Sequence, residues 1–336
     1  MAKILVTGAN GFIGQHLVRK LLDQGHSVRG TIHAEQPLYF IRADELEWRR
    51  IDLSAPETLA GIATDIECIY HCAAIPRNDL RLSWDDFASI NIKGAESLLA
   101  EAQRADIKRF VYISTVEAAG YGDGKNPRKE GDVPHPENNY GKSKLAAEQI
   151  VLSGPWAFER TVVRLPMIYG PGTFLIVPKL FGMVKRGWYP CIGNGAAGME
   201  FCYVANAVDA MILAGTSPRA AGELFYVSDE RSYSIKEVIS HIAAAMHKRV
   251  IFISIPKAPA YAIALLWEFA ARIAPFPPIV SPYSKKPFFT RETVRWTTSD
   301  INIVSTEKMR SLLGYRPAIS LAEGCARTAE WLAAHS

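Results

Sequence analysis

The chain is poor in cysteine and has no long tract of one charge. Only 5 of its 336 residues are cysteine. Their spacing fits neither a metal-ligand motif nor a disulfide framework, so we expect reduced core thiols and no metal site. The formal net charge is +4 without a polybasic block, which disfavours nucleic acid as a partner. The N-terminal residues lack a secretory-signal pattern, which favours a cytoplasmic protein.

Long hydrophobic runs are also scarce. The strongest one, residues 258–273, is too short to span a bilayer and is interrupted by Glu268 and Arg272. A lid or a core helix is the simpler interpretation of this segment. The alternative is a helix that lies on a membrane surface and gives peripheral membrane contact.

Strand patterns and helix patterns alternate through the first half of the chain. Apolar runs of strand type cover 3–7, 27–32, 68–72, 110–113 and 161–165, and helical spacing covers 12–24 and 85–104. This alternation predicts an α/β fold, a Rossmann-type doubly wound parallel sheet. Beyond residue 169 the pattern loosens, so we expect a dinucleotide-binding domain at 1–169 and a smaller α+β substrate lobe at 170–336. We expect the chain to cross back to the first domain around 200–230.

A glycine turn, Thr7-Gly-Ala-Asn-Gly-Phe-Ile-Gly14, links the first strand to the first helix. Gly8 permits a tight turn, Gly11 lets the backbone approach a pyrophosphate, and Gly14 lets the helix pack closely on the sheet. Backbone N–H groups and the helix dipole then face the anion. The sequence therefore predicts a dinucleotide site here, with further cofactor contacts from Asn10, Phe12 and Ile13.

Tyr140 and Lys144 lie four residues apart and share one helix face. A tyrosine with its usual pKa near 10 is a poor base at neutral pH, but a neighbouring ammonium stabilises the phenolate. Tyr140 could then exchange a proton with a carbinol or carbonyl oxygen, while Lys144 also holds the nicotinamide ribose. Lys142 lies off this face and is the weaker partner.

These motifs together resemble the extended short-chain dehydrogenase/reductases, the NAD-dependent epimerase/dehydratase superfamily. The likeness continues at His71–Ala74, Asn91–Gly94, Arg164–Gly172 and Leu313–Pro317. It implies further cofactor contacts at Asp52, Leu53, Ala73, Ala74, Pro166 and Ile168. It also implies a homodimer in which helices 85–104 and 139–152 pack across a two-fold axis.

The same resemblance implies a catalytic hydroxyl at Thr115. In extended members the catalytic Ser or Thr precedes a glycine by five residues, and Gly120 has that spacing here. Ser114 is the second candidate. The alternative role of both hydroxyls is to satisfy backbone groups where the strand ends.

The cofactor preference is read at the end of the second strand. NAD-preferring relatives place an acidic residue there, whereas this chain has Thr31-Ile-His33. The run Val28–His33 resembles dihydroflavonol-reductase-like enzymes, which use NADP. His33 replaces their arginine, and a neutral imidazole is a poorer phosphate ligand. We therefore favour NADP over NAD, with a solvated loop histidine as the alternative role of His33.

Three departures bear on the reaction class that the resemblance implies. Sugar dehydratases follow the catalytic Thr with Asp-Glu, but here Val116-Glu117 follows, which disfavours dehydration. Met199 stands where many nucleotide-sugar enzymes have a diphosphate-binding arginine. Met167 and Ile168 stand where they have an asparagine.

Other segments resemble 3β-hydroxysteroid and sterol dehydrogenases, namely Trp188–Gly195, Tyr203–Asn206 and Ser305–Lys308. We expect an NAD(P)-dependent dehydrogenase or ketoreductase for a small, mostly apolar substrate, with a sterol-like 3β-hydroxyl as the best single hypothesis. A carboxylate next to that hydroxyl would allow decarboxylation after oxidation. Six apolar residues could line the pocket or form lobe core: Phe174, Leu175, Ile176, Leu180, Phe181 and Trp188.

Two rival functions remain open. One is a nucleotide-sugar 4-epimerase or 4-keto reductase, in which Arg291 or Arg295 would grip the diphosphate. The other is a non-catalytic nucleotide sensor, although such relatives usually lack the tyrosine that is present here as Tyr140.

Overall fold

The computed structural model describes residues 2–75, 82–174, 176–273, 290–299 and 303–335. Its strands are β1 Lys3–Thr7, β2 Ser27–Ile32, β3 Glu47–Arg50, β4 Cys68–His71, β5 Arg109–Thr115, β6 Glu159–Leu165, β7 Met167–Tyr169, β8 Trp188–Ile192, β9 Gly198–Met199, β10 Phe201–Tyr203, β11 Leu224–Tyr226, β12 Tyr233–Ser234 and β13 Ile251–Ile255.

The helices lie between and after these strands. They are α1 Phe12–Asp23, α2 Trp84–Phe87, α3 Gly94–Arg104, α4 Asn139–Ser153, α5 Val177–Lys185, α6 Val204–Thr216, α7 Ile235–Ala245, α8 Lys257–Ile273, α9 Arg291–Thr297, α10 Glu307–Leu313 and α11 Leu321–Ala334. In the described part of the chain, none of them is long and apolar enough to cross a bilayer.

Seven strands form one sheet in the order β11-β6-β5-β4-β1-β2-β3, and all neighbouring pairs are parallel. The direction of strand addition reverses between β1 and β4, because β2 and β3 lie on one side of β1 and the later strands lie on the other. In open α/β sheets, ligands bind outside the carboxyl ends of the strands at this reversal. The predicted Rossmann-type fold class is confirmed.

Helices cover both faces of this sheet. On one face Leu17 of α1 and Met211 of α6 are fully buried in the same apolar cluster. On the other face Leu98 of α3 and Ala147 of α4 are equally buried in a second cluster. Helices on both faces leave apolar runs in the central strands, which is why the sequence pattern of the first half was clear.

The later half forms smaller units around a third apolar cluster that includes Tyr169, Leu180, Phe201 and Ile239. β10 pairs with β7, β12 pairs with β9, and β13 pairs with β8. β11 leaves this lobe and joins the main sheet beside β6. The division at residue 169 and the return around 200–230 stay predictions.

The predicted helix 85–104 occurs at 84–104, but it is not regular. Residues Ala88–Lys93 form a π-helical turn between α2 and α3. The buried Asn91 lies in this turn, and its amide binds the residue 75 backbone and Ser143 of α4. Such π turns are rare and are frequent at functional sites.

Gly14 offers a direct test of the packing between α1 and β1. A methyl group there would lie 2.1 Å from the Gly8 carbonyl oxygen and 2.9 Å from Ala9 Cα. Since both neighbours are backbone, we expect Gly14→Ala to lower the free energy of unfolding by about 1 to 3 kcal/mol and to weaken dinucleotide binding. Urea unfolding and fluorescence titration with NADPH measure the two effects.

Gly182→Ala is the matched control, because Gly182 lies inside helix α5 with open space around it. Alanine there should stabilise the helix by up to about 1 kcal/mol and leave cofactor affinity unchanged. If Gly14→Ala retained both stability and affinity, close helix–sheet packing would not be required at this turn.

Candidate active site

The glycine turn lies between β1 and α1 as predicted. Gly8 has φ +66°, and its Cα faces Ala73, since a Cβ added there would lie 3.1 Å from the Ala73 backbone. Gly11 is the N-cap of α1 and has no side chain to cap the first turn. The N–H groups of that turn are therefore available to an anion.

Two features of the structure show that the turn can accommodate a dinucleotide. A Cβ at Gly14 would collide with Gly8, so α1 can begin close beside the turn only with glycine at this position. The first turn of α1 consists of Phe12, Ile13, Gly14 and Gln15, which brings no carboxylate against a bound phosphate. Asn10 donates to the Ala34 carbonyl at 2.7 Å and fixes the turn to the end of β2.

The end of β4 lies directly against this turn. The Ala73 N–H donates to Thr7 Oγ1 at 3.1 Å. The same oxygen is 2.7 Å from His71 Nδ1, and burial lowers the pKa of His71 to about 3, so the ring is neutral. Ala73 and Ala74 therefore follow β4 at the edge of the glycine turn, where the sequence placed cofactor contacts.

Tyr140 and Lys144 both lie on α4, whose start is fixed by Asn138. The Asn138 side chain accepts from the Gly141 N–H at 2.8 Å and donates to Glu117 at 2.9 Å. A Cβ at Gly141 would lie 2.4 Å from the Glu117 carbonyl oxygen. The helix thus begins in close contact with the segment that follows β5.

The Lys144 side chain is buried against β5. Its Nζ donates to the Ile113 carbonyl at 2.7 Å and lies 4.1 Å from the centre of the Tyr112 ring. Burial lowers the pKa of Lys144 to about 7, while the Glu148 carboxylate acts in the opposite direction. The structure therefore brings Lys144 within two residues of Thr115 along β5.

A buried ion pair lies one helical turn beyond Lys144. Arg164 of β6 donates to both carboxylate oxygens of Glu148 through Nε and Nη2, at 2.9 and 2.6 Å. Arg164 also donates to the Tyr226 hydroxyl at 2.8 Å. Both charged side chains are 3% exposed or less, so the carboxylate near Lys144 is matched by a cation rather than by solvent.

The two candidate hydroxyls end β5 in different surroundings. Thr115 Oγ1 accepts from the Glu117 N–H at 3.3 Å and caps the short turn after the strand. Ser114 Oγ is buried and has no partner among the described residues. Successive side chains of a strand point to opposite faces, so only one of the two can lie on the Tyr140 side.

The predicted adenosine contacts gather where β2 and β3 end. His33 is exposed, and its carbonyl accepts from Arg50 at 2.8 Å. Arg50 also forms an ion pair with Glu35. Asp52 accepts from Ser54, which lowers the pKa of its carboxyl, and Leu53 packs against Gly94, where a Cβ would lie 2.7 Å away.

Arg50 was missed by the sequence reasoning, which considered only the end of β2. It pairs with Ile32 in the parallel register of β2 and β3, so it lies beside His33 although 17 residues separate them. A search of the neighbouring parallel strand for a basic residue would have found it.

Pro166 and Ile168 follow β6, and the adjacent Met167 opens into a large cavity. The cavity volume is about 340 Å³. Its lining is almost wholly apolar: Met167, Ile176, Leu180, Met183, Tyr189, Pro190, Ile192, Met199, Phe201, Ile235, Ile255, Ile263, Trp267, Thr293 and Thr297. Met199, at the place of the family's diphosphate-binding arginine, is among them.

The six apolar residues of the lobe divide between different environments. Ile176 and Leu180 line the cavity, Phe181 is buried in the lobe core, and Phe174 and Trp188 are exposed. Leu175 lies outside the described residues. The pocket-lining expectation therefore holds for Ile176 and Leu180, the core alternative holds for Phe181, and neither holds for Phe174 or Trp188.

Residues 258–273 form most of α8, and the core-helix interpretation is also wrong. Only Ala260 and Ala264 are buried between residues 257 and 270. Ile263 and Trp267 line the cavity, so part of α8 does cover it as a lid would.

The two arginines considered as diphosphate ligands are engaged with carboxylates. Arg291 binds Glu268 through its backbone and side chain, each at 2.8 Å. Arg295 binds Glu137 with two bonds of 2.6 and 2.7 Å. This second pair links α9, which lines the cavity, to the residue before Asn138, and no local sequence pattern indicates it.

Comparison with known proteins agrees with this geometry. The family model for the NAD-dependent epimerase/dehydratase family matches residues 4–228. The chain belongs to this family. Its resemblance to the extended short-chain dehydrogenases is confirmed, and it is an NAD(P)-dependent enzyme that acts on CH–OH groups of small molecules.

Individual relatives differ in their substrates. A 2-alkyl-3-oxoalkanoate reductase from Stenotrophomonas maltophilia (strain K279a) is 28% identical over 345 residues, which cover 97% of this chain and 98% of the relative. A decarboxylating sterol-4-alpha-carboxylate 3-dehydrogenase from Mus musculus is 27% identical over 348 residues, covering 98% and 90%.

A solved structure shows the same fold. The UDP-glucose 4-epimerase of Thermus thermophilus, in complex with NAD, superposes with a TM-score of 0.75 over 99% of this chain and 100% of the epimerase. The two sequences are 20% identical, so this likeness supports the architecture and leaves the substrate open.

The buried Lys144 predicts a pH dependence of stability in the cofactor-free protein. Its pKa falls from 10.5 in the unfolded chain to about 7 in the fold, so the unfolded state binds more protons between these values. The free energy of unfolding should therefore rise with pH between about 7 and 10, relative to Lys144→Met, by at most about 1.4 kcal/mol per pH unit. This contribution is fully present above the unfolded value and is lost as pH falls toward 7.

Urea unfolding of the two proteins across this pH range measures the difference. Lys142→Met is the matched control, because Lys142 lies on the same helix with its side chain exposed. Parallel curves for wild type and Lys144→Met would contradict the desolvation of Lys144.

Proposed function

We propose that the protein is an NADP-dependent dehydrogenase or ketoreductase for a secondary alcohol or ketone of a mostly apolar small molecule. The cavity beside Pro166 carries this proposal, because its described lining contains no cationic side chain. A nucleotide diphosphate needs such charge to replace its hydration. A sterol-like 3β-hydroxyl is the best single hypothesis for the reacting group.

A carboxylate on the carbon next to the reacting one is part of this hypothesis. The names of the Stenotrophomonas and Mus relatives both describe a hydroxyl or oxo group next to a carboxyl-bearing carbon. Oxidation of such a β-hydroxy acid gives a β-keto acid, which can lose CO₂. Apolar β-hydroxy acids therefore stand first in the substrate panel, followed by sterols without a carboxylate.

In the proposed mechanism Tyr140 and Thr115 contact the reacting oxygen, and Lys144 acts on Tyr140. Bound NAD(P) supplies the hydride acceptor or donor. Tyr140 takes the hydroxyl proton when an alcohol is oxidised and returns it when a ketone is reduced. The ammonium form of Lys144 stabilises the phenolate, and Thr115 donates a hydrogen bond that holds the oxygen.

The surroundings of Lys144 explain how it could serve this role near neutral pH. Burial disfavours its ammonium form, and the nearby Glu148 favours it. The result is a pKa of about 7, so at neutral pH both the charged and the neutral form of the amine are populated. The Ile113 carbonyl accepts from Nζ, so the amine is held against β5.

The proposal makes Tyr140→Phe the decisive variant. It removes the hydroxyl and keeps the ring, so we expect turnover to fall by roughly 10² or more, the scale of a lost general acid–base, with cofactor affinity retained. Nicotinamide absorbance over a panel of β-hydroxy acids, sterols, steroids and ketones, with NAD and NADP, measures it.

Tyr121→Phe is the matched control, because Tyr121 lines a small pocket together with Asn138, the N-cap of α4, and lies outside the proposed proton path. Tight binding of UDP by calorimetry would instead support the nucleotide-sugar 4-epimerase or 4-keto reductase. Absence of turnover across the panel with the intact Tyr140 would support a nucleotide sensor.

The NADP preference rests on the basic group that β3 places beside His33. We propose that Arg50 and His33 together contact the 2′-phosphate, with Arg50 providing the permanent charge. Arg50→Gln should raise the KM for NADPH by about tenfold, the scale of one charge-assisted hydrogen bond, and change the KM for NADH little. Steady-state kinetics with both cofactors measures this.

Arg49→Gln is its matched control, because the preceding residue of β3 is equally exposed and binds Glu47 instead. An equal effect of Arg50→Gln on both cofactors would refute the assignment and leave His33 as a solvated residue.

We also propose that the protein is a cytoplasmic homodimer. The helices expected at the two-fold axis, α3 and α4, lie on the same face of the sheet. The Phe87 ring of α2 lies 6.4 Å from the Tyr140 ring, so this interface would support the start of the catalytic helix.

A further inference from the structure

Helix α8 presents apolar side chains over most of its circumference. Between Lys257 and Glu268 it has no charged residue. Six large side chains are between 44% and 68% exposed: Tyr261, Ile263, Leu265, Leu266, Trp267 and Phe269. We call these six residues the exposed α8 surface. A helix that is apolar all round is normally buried in protein or in lipid, so this surface is unusual for contact with water.

The buried apolar contact of α8 with the lobe is small, and the Arg291–Glu268 ion pair adds a polar attachment. Ala260 and Ala264 pack against Ile192 and Val294 in a small cluster of their own. These two alanines lie one turn apart and form the buried stripe of the helix. Of the larger side chains, Ile263 and Trp267 also line the cavity, whereas Leu266 and Phe269 are the most exposed of the six.

A second exposed apolar area immediately precedes α8 in the chain. On β13, Ile251 is 69% and Ile253 49% exposed, and the partner strand β8 exposes Trp188, which pairs with Ile251. Isolated exposed apolar residues are ordinary on protein surfaces. Here they occur on consecutive elements, since β13 leads directly into α8.

Cations flank this second area. Lys185 and Arg186 precede β8, Lys248 and Arg249 precede β13, and all four are exposed. None of the four forms an ion pair with a described residue. We call them the cation cluster. Exposed apolar side chains beside such cations are the composition that binds an anionic bilayer surface.

The charge also weighs against a second copy of this chain as the occupant. A two-fold interface places the same patch on both sides, so each cation cluster would face either the other cluster or the apolar α8 surface, and neither provides opposite charge. Like charges facing each other across an interface are unfavourable. An anionic lipid surface instead provides opposite charge for the cluster and an apolar layer for the exposed α8 surface.

We propose that the exposed α8 surface and the cation cluster dock the protein peripherally on an anionic lipid bilayer. Ile263 and Trp267 belong to this surface and also line the cavity, so α8 separates the bilayer from the proposed substrate site. An apolar substrate can then pass from the lipid into the cavity without crossing water. This delivery role rests on the proposed function, whereas the docking itself does not.

Cosedimentation with lipid vesicles tests the docking without substrate or cofactor. We expect the wild-type protein to bind vesicles of phosphatidylcholine and phosphatidylglycerol in equal parts, and to bind pure phosphatidylcholine much less. Leu266→Ser/Phe269→Ser should lower the partition coefficient at least about tenfold, because each lost apolar side chain weakens insertion. Lys248→Gln/Arg249→Gln should lower it by about tenfold or more and reduce its salt dependence.

Matched controls separate docking from general surface effects. Val133→Ser removes another highly exposed apolar side chain, and Lys125→Gln/Lys129→Gln removes two exposed cations elsewhere. Both should bind vesicles as the wild type does. Unchanged NADPH binding shows that each variant is folded.

Several outcomes would overturn the docking proposal. These are no binding of the wild type to anionic vesicles, equal binding by the α8 variant, or a change of oligomeric state on Leu266→Ser/Phe269→Ser in sedimentation velocity, which would assign the surface to a second copy. If the α8 variant loses vesicle binding but still turns over short, water-soluble substrates, the result supports docking and the proposed function together. Vesicle binding by a protein that turns over no panel substrate would reject the function alone.

Discussion

The hydrogen bond between the Lys144 ammonium and the Ile113 carbonyl is the contact on which the candidate site depends. It ties α4, which carries Tyr140, to β5, which ends at Thr115. This contact requires the amine of Lys144, a residue that is 2% exposed, to be buried away from water. The fold offsets the cost of this burial with the face of Tyr112 and with the carboxylate of Glu148.

The ion pair of Glu148 with Arg164 offsets the cost of burying the Glu148 carboxylate near Lys144. A lone carboxylate near Lys144 would itself be expensive to bury, and Arg164 satisfies both of its oxygens from β6. Tyr226 of β11 completes the arrangement by accepting from Arg164. Residues from β6 and β11 therefore satisfy the Glu148 carboxylate, which in turn favours the charged form of Lys144.

An apolar cavity lies next to the end of β6, and it differs chemically from the charged surroundings of Lys144. The charged side chains Lys144, Glu148 and Arg164 are buried between α4 and the sheet, whereas Met167, Met199 and Phe201 line the cavity. Arg291 and Arg295, the cations considered for a diphosphate, are bound to Glu268 and Glu137. The described lining of the cavity therefore contains no charged side chain.

Much of the dinucleotide half could be predicted because its signals are local. The spacing of Gly8, Gly11 and Gly14 and the four-residue step from Tyr140 to Lys144 are set by backbone geometry alone, and the fold class followed from alternating periodicities. The roles of these residues stay predictions, and so does the assignment of Thr115 over Ser114.

Features that depend on strand register or on distant packing could not be predicted in the same way. Arg50 lies beside His33 through the pairing of β2 with β3, and Arg295 reaches Glu137 across 158 positions of the chain. The π turn holds Asn91, whose side chain bonds Ser143 of α4, 52 positions later in the chain. Each of these requires knowledge of which segments become neighbours.

The late position of strand β11 in the chain affects how the sheet folds during synthesis. β11 covers the edge of β6 and brings Tyr226 to Arg164, yet it is made about sixty residues after β6. A nascent chain grows at about 5–20 residues per second, so β6 would be an open edge for several seconds after leaving the ribosome. Open strand edges pair readily with other chains, and chaperone contact during that interval would protect the half-made sheet.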